Sequence, residues 1–72
     1  MEPCTKRLKS LRVDFDLSQK EVAAQLNTTQ QVYSRYENGT NEMPVRHIIA
    51  LSRFYKVSCD YILGETDIKD RK

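Results

Sequence analysis

The sequence predicts an all-α fold of five short helices, in which the second and third form a tight helix-turn-helix. Three observations predict it. Ser18 and Thr29 are preferred helix-capping residues, and each is followed by apolar residues at helical spacing. Further start signals stand at Pro44 and Ser58, and residues on which helices commonly end stand at Asn27, Gly39 and Gly64. No segment alternates polar and apolar residues well enough to argue for a strand.

The first helix covers residues 4–13, with Leu8 and Leu11 as inward anchors. Its outward face is basic. Lys6, Arg7, Lys9 and Arg12 stand against Glu2 alone up to Val13, in a chain whose total charge is only +2. Asp14-Phe15-Asp16-Leu17 makes the connection, and Leu17 precedes the next cap as a hydrophobic staple does. Ser18 then caps the second helix, and Glu21, three positions on, completes a capping box. Gln19 is the first helical residue, Val22, Ala23 and Leu26 form the apolar stripe, and Asn27 tolerates the left-handed conformation of a turn. Thr29 caps the third helix, which opens with Gln30 and Gln31, runs to Tyr36 or Glu37, and is released by Asn38-Gly39.

This third helix has two chemically different faces. Val32, Tyr33 and Tyr36 share a side at spacings of three and four and are expected to pack inward. Gln30 with Ser34, and Gln31 with Arg35, leave from a polar strip on the other side. A glutamine amide presents a donor beside an acceptor, matching the N6/N7 edge of adenine in the major groove, and a guanidinium matches O6/N7 of guanine. The strip therefore has the chemistry to read bases. Two readings of the basic first helix stay open beside it: an ordinary solvated face, or phosphate contacts with Lys9 as the candidate.

These residues resemble the lambda-repressor-like helix-turn-helix family, the Cro-type or XRE-type DNA-binding domains. In that pattern a Gln opens the first helix of the pair (Gln19), a small residue four on lets the helices touch (Ala23), a Gly or Asn turns the chain (Asn27), and bulky residues anchor the second helix (Tyr33, Tyr36). Tyr33 departs from it, since an aliphatic residue is usual there. The run Thr28-Thr29-Gln30-Gln31 is similar to the start of the recognition helix in certain lambdoid phage repressors. The likeness covers about residues 5–65. It implies that Gln30, Gln31, Ser34 and Arg35 face bases, that Ser18, Gln19 and Thr29 lie near phosphates, and that Arg12 pairs with Glu37. The loop Thr40-Asn41-Glu42-Met43 is often basic in those repressors but here has no Lys or Arg, which leaves backbone amides, Asn38 and Asn41 to meet phosphates.

The fourth helix is expected from about Pro44 to Tyr55, with Val45, Ile48, Leu51, Ser52 and Tyr55 on its core stripe, His47 off it on the surface, and Ile49 and Phe54 at its edge. Ser58 caps a short fifth helix, Cys59–Leu63, closed by Gly64. Residues 65–72 are charged and expected to fray, so that one domain, 1–72, has its core at about 5–64.

Composition narrows the function classes. With 39% hydrophobic and 31% charged residues, no apolar run near the roughly 20 residues of a membrane span and no signal-peptide pattern, a cytoplasmic protein is expected. Cys4 and Cys59 are far apart, with a single His, so neither a metal site nor a disulfide is expected. No nucleophile-and-base set or glycine-rich phosphate loop can be assembled, which argues against an enzyme or a cofactor. The resemblance implies a sequence-specific binder of double-stranded DNA, a transcriptional regulator acting without a small-molecule ligand. Its simplest form is a repressor on a palindromic operator, a homodimer at least on DNA. The alternative is an antitoxin-like protein-interaction module on the same fold.

Overall fold

The computed structural model describes residues 4–70. Five helices follow in order: α1 (Cys4–Asp14), α2 (Gln19–Gln25), α3 (Gln30–Asn38), α4 (Val45–Tyr55) and α5 (Cys59–Leu63). Short helices like these are marginal on their own in water, so their ends and their packing decide whether they form. Three starts carry a side-chain cap. Ser18 Oγ accepts from the Glu21 amide at 3.1 Å while the Glu21 carboxylate accepts from the Ser18 amide at 3.0 Å. Thr29 Oγ1 accepts from the Val32 amide, and Ser58 Oγ from the Tyr61 amide. A residue in the left-handed region follows every one of the five helices: Asp16, Asn27, Gly39, Lys56 and Gly64.

α3 packs on both α2 and α1, and α5 packs on both α1 and α4. The core between them holds Leu8 and Leu11 of α1, Val22 and Ala23 of α2, Tyr33 and Tyr36 of α3, Ile48, Leu51 and Tyr55 of α4, and Ile62 of α5. Ala23 is buried because a longer side chain there would hold α2 away from its neighbour. The Ser52 hydroxyl, buried in the same core, is satisfied by donating to the Val57 carbonyl.

Two expectations are corrected. His47 is buried, 8% exposed, with its ring edge-on to Tyr36 at 5.8 Å between centroids, whereas Val45 is 70% exposed. The α3 aromatic covers the His47 side of α4, and no core side chain covers Val45 in the first turn. Arg7 does not join the outward basic face. It is 4% exposed, its guanidinium 4.0 Å from the centre of the Tyr61 ring and bonded to Asp67. Position 7 borders the Leu8–Leu11 stripe, and α5 crosses α1 there, so a flat cation stacked on an aromatic ring fills a place that its charge alone would send outward. Residues 65–70 make contacts with the body of the fold. The Ser58 amide donates to the Lys69 carbonyl at 2.7 Å, the Ser58 hydroxyl donates to that of Ile68, and Asp67 reaches back to α1. Arg71 and Lys72 lie outside the described residues.

Burial, and then the neighbouring Arg46 charge, hold the His47 imidazole below its ordinary value. The unfolded chain therefore takes up this proton first, at about pH 6.5. The His47 contribution to stability is expected to be complete above that pH, to shrink as pH falls through it, and to level off once the folded imidazole is also charged. A series of urea midpoints against pH measures this, and His47→Phe should remove that part of the slope.

Candidate nucleic-acid interface

The site is built around α3, a helix of only nine residues. Its inner face is fixed by Tyr33, fully buried, and Tyr36, whose rings meet edge to face at 6.3 Å. Its far end is held by an ion pair. Arg12 Nε donates to Glu37 Oε2 at 2.7 Å and Arg12 Nη2 to Glu37 Oε1 at 3.2 Å, a two-pronged contact between side chains 15% and 6% exposed. The same guanidinium donates through Nη1 to the Leu17 carbonyl at 3.0 Å. Gln19 Nε2 donates to Glu37 Oε1 at 3.3 Å. One carboxylate thus receives α1, the residue that opens α2, and α3.

The electrostatics follow from that arrangement. Burial alone would raise the Glu37 carboxyl, but hydrogen bonding from Arg12, assisted by Tyr33 and Gln19, outweighs it and holds the group below the usual carboxylate range. Burial, reinforced by the Glu37 charge, pushes the Tyr33 phenol far above its ordinary value. For the same reasons the Tyr55 phenol is pushed up to about 12. All three groups therefore have fixed protonation states near neutral pH. The inner side of the site is an inert scaffold.

On the outer side, Gln30, Gln31 and Arg35 are exposed and Ser34 is half-buried, so the polar strip stands clear of the core. The flanking candidates are placed as follows. The Ser18 and Thr29 side chains are both engaged as caps, which brings their hydroxyls to the starts of α2 and α3. Gln19 is partly buried beneath Glu37. The Asn38 side-chain carbonyl accepts from the Thr40 amide at 2.9 Å and the Thr40 hydroxyl at 2.6 Å, leaving the amide nitrogen as its donor toward a partner. The Asn41 amide donates to the Arg35 carbonyl, which folds the loop back against the end of α3. Lys9 is not brought to this face: its surface is shared with Lys6, Ser10, Val13 and Asp14, all from α1.

Two features escaped the residue pattern. Gln19 as a donor to Glu37 has no local signal, because the two are 18 positions apart. Arg46, exposed at the second position of α4, lines a shallow depression with Asn27 and Thr28 of the α2–α3 turn. The change from a polar loop to a cation just after Pro44 was the signal for it.

Removing Arg12 strands a mostly buried carboxylate, so Arg12→Ala is expected to destabilise the fold by about 3 kcal/mol. Replacing both partners by Met should lose much less than the sum of the two single changes. Chemical denaturation of the four proteins in a double-mutant cycle measures both quantities, and additive losses would mean that the contact carries no coupling.

Among the described residues no group of three or more His, Cys, Asp or Glu side chains is placed to hold a metal ion, and no helix is long and apolar enough to cross a membrane. A family model for the helix-turn-helix matches residues 8–62. The chain is 36% identical over 66 residues to the uncharacterized HTH-type transcriptional regulator YobD of Bacillus subtilis, covering 92% of this chain and 59% of that protein. It is 30% identical over 61 residues to the cryptic phage CTXphi transcriptional repressor RstR of Vibrio cholerae, covering 85% of this chain and 55% of RstR. It is 38% identical over 60 residues to the antitoxin PezA of Streptococcus pneumoniae, covering 83% of this chain and 38% of PezA. The chain thus spans little more than half the length of the two regulators, and the matched part is the helical unit described above. With the family model running from α1 into α5 across the capped turn, the buried aromatics and the outer strip of α3, the chain belongs to the XRE-type helix-turn-helix family.

Proposed function

We propose that this chain binds double-stranded DNA by sequence, with α3 in the major groove, and regulates transcription, most simply as a repressor that occupies a palindromic operator as a dimer. The observation that carries this reading is the outer strip of α3. Gln30 and Gln31 are exposed at the tip of a helix whose inner face is packed by Tyr33 and Tyr36, so the backbone that carries their amides is already ordered before binding. Gln30, Gln31, Ser34 and Arg35 are assigned to bases. Ser18, Gln19, Thr29, Asn38 and Asn41 flank the strip and are assigned to phosphates, which fix register rather than sequence. Lys9 is left as a weaker phosphate candidate on the neighbouring α1 surface. Few contacts come from one chain, which favours two chains on two half-sites about one helical turn apart. RstR, a repressor by name, supports the direction of regulation.

An antitoxin-like role in binding another protein is the second reading. It is favoured by the likeness to PezA and by the exposed pair Val45 and Ile49, four apart on α4. The polar strip on α3 is a poor protein anchor, since such anchors are rich in aromatic side chains. Selecting bound sequences from a random duplex pool tests the first reading. Enrichment of one palindrome is the expected result, and a pool that stays random would sink it.

Gln30→Ala is expected to weaken binding to the selected sequence by about 1 to 3 kcal/mol and to relax preference at one base position per half-site. The salt dependence should stay as in the parent, because a neutral side chain displaces no counterions. Equal weakening on selected and random duplexes would make Gln30 a positioning residue and pass base reading to Gln31 and Arg35.

Sedimentation of the complex with the selected palindrome should give two chains per duplex, with much weaker binding to an isolated half-site. One chain per full site would remove the dimer.

A further inference from the structure

The connection from α3 to α4, residues 39–44, carries Glu42 and no Lys or Arg. A cation that grips the DNA backbone beside α3 must therefore come from another part of the fold. Two of the cations of α1 are already engaged: Arg12 by Glu37, and Arg7 by Asp67 and the Tyr61 ring. Lys6 and Lys9 are exposed, but on a surface made by α1 residues alone.

Arg46 is placed differently. It is exposed, and the depression it lines is shared with Gln25, Asn27 and Thr28, the end of α2 and the turn into α3. Thr28 adjoins Thr29, the cap from which Gln30 projects. Among the described residues no acidic side chain lines this depression, and the imidazole of His47, which also lines it, is held below its ordinary value by burial and by Arg46 itself. A cation here stands next to the base-reading strip and outside it. Sugar-phosphate backbone borders a recognition helix in just that relation, and most backbone contacts serve to set its orientation.

Resting on the DNA-binding reading above, we infer that Arg46 is a phosphate-positioning residue: its guanidinium takes a phosphate of the strand that borders the α2–α3 turn and supplies the charge that the α3–α4 loop lacks. A guanidinium bonded to a phosphate is a strong, charge-assisted contact. It carries no base information, so it acts on every sequence alike and shows itself through the counterions it releases.

The test is fluorescence anisotropy of the whole chain with a labelled mixed-sequence duplex, titrated over a range of sodium chloride concentrations. Arg46→Ala is expected to flatten the slope of log K against log salt by about 0.9 per bound chain, which is roughly eightfold weaker binding near 0.1 M salt if the two lines meet at 1 M. Arg46→Gln, which keeps the aliphatic stem, should do the same, and Arg46→Lys should keep the parent slope. Arg53→Ala removes an equal charge from the last turn of α4 and should leave the slope as in the parent. Equal flattening by Arg46→Ala and Arg53→Ala would reduce the effect to net charge and overturn the inference, as would an unchanged slope in both Arg46→Ala and Arg46→Gln. A parent chain that binds no duplex overturns the DNA reading itself. A parent that binds while the Arg46 variants behave identically to it sinks only the role of Arg46.

Discussion

The presentation of α3 depends on the ion pair between Arg12 and Glu37. A nine-residue helix has little stability of its own, and Glu37 lies in its last turn, where the helix dipole disfavours a negative charge. A mostly buried carboxylate at that place is held chiefly by a guanidinium that reaches it with two bonds, with Gln19 as a further donor. Because the same guanidinium also holds the Leu17 carbonyl, it fixes the residue just before the Ser18 cap. The start of α2 and the end of α3 are thereby referred to one point on α1. Their relative orientation, which sets where the outer strip aims, is as rigid as that point.

The molecule divides its chemistry between two sides of one helix. The inner side has Tyr33 and Glu37, whose protonation states near neutrality are set by burial and by their mutual contact, while the outer side has the amides of Gln30 and Gln31, the Ser34 hydroxyl and the Arg35 guanidinium. His47 packs edge-on against Tyr36 on the inner side, and burial with the Arg46 charge holds its imidazole below its ordinary value.

The helix boundaries could be read from the chain because they are local events: caps at Ser18, Thr29 and Ser58, and left-handed ends at Asn27, Gly39 and Gly64, depend on a few adjacent residues. The polar strip could be read for the same reason, since i,i+4 spacing alone decides which side chains share a face. The surroundings of α4 and α1 could not. His47 is buried because Tyr36, eleven positions earlier, covers it, and Arg7 because Tyr61 and Asp67 close over it from the other end of the chain. Charge and periodicity place these two residues outside, and the tertiary partner prevails. The contacts of the tail are equally invisible to composition: the Ser58 amide donates to the Lys69 carbonyl and the Ser58 hydroxyl to that of Ile68.

The exposure of Gln30, Gln31 and Arg35 has an evolutionary consequence. Side chains that contribute no burial can be exchanged at a cost in stability usually within about 0.5 kcal/mol. On the proposed assignment of these side chains to bases, a lineage carrying this fold can drift from one target sequence to another through variants that all remain folded, provided that the aromatic underside and the carboxylate at the helix end are kept. On that assignment, divergence in what is recognised is decoupled from the integrity of the scaffold, and a population of such chains can sample new targets at almost no risk to its own folding.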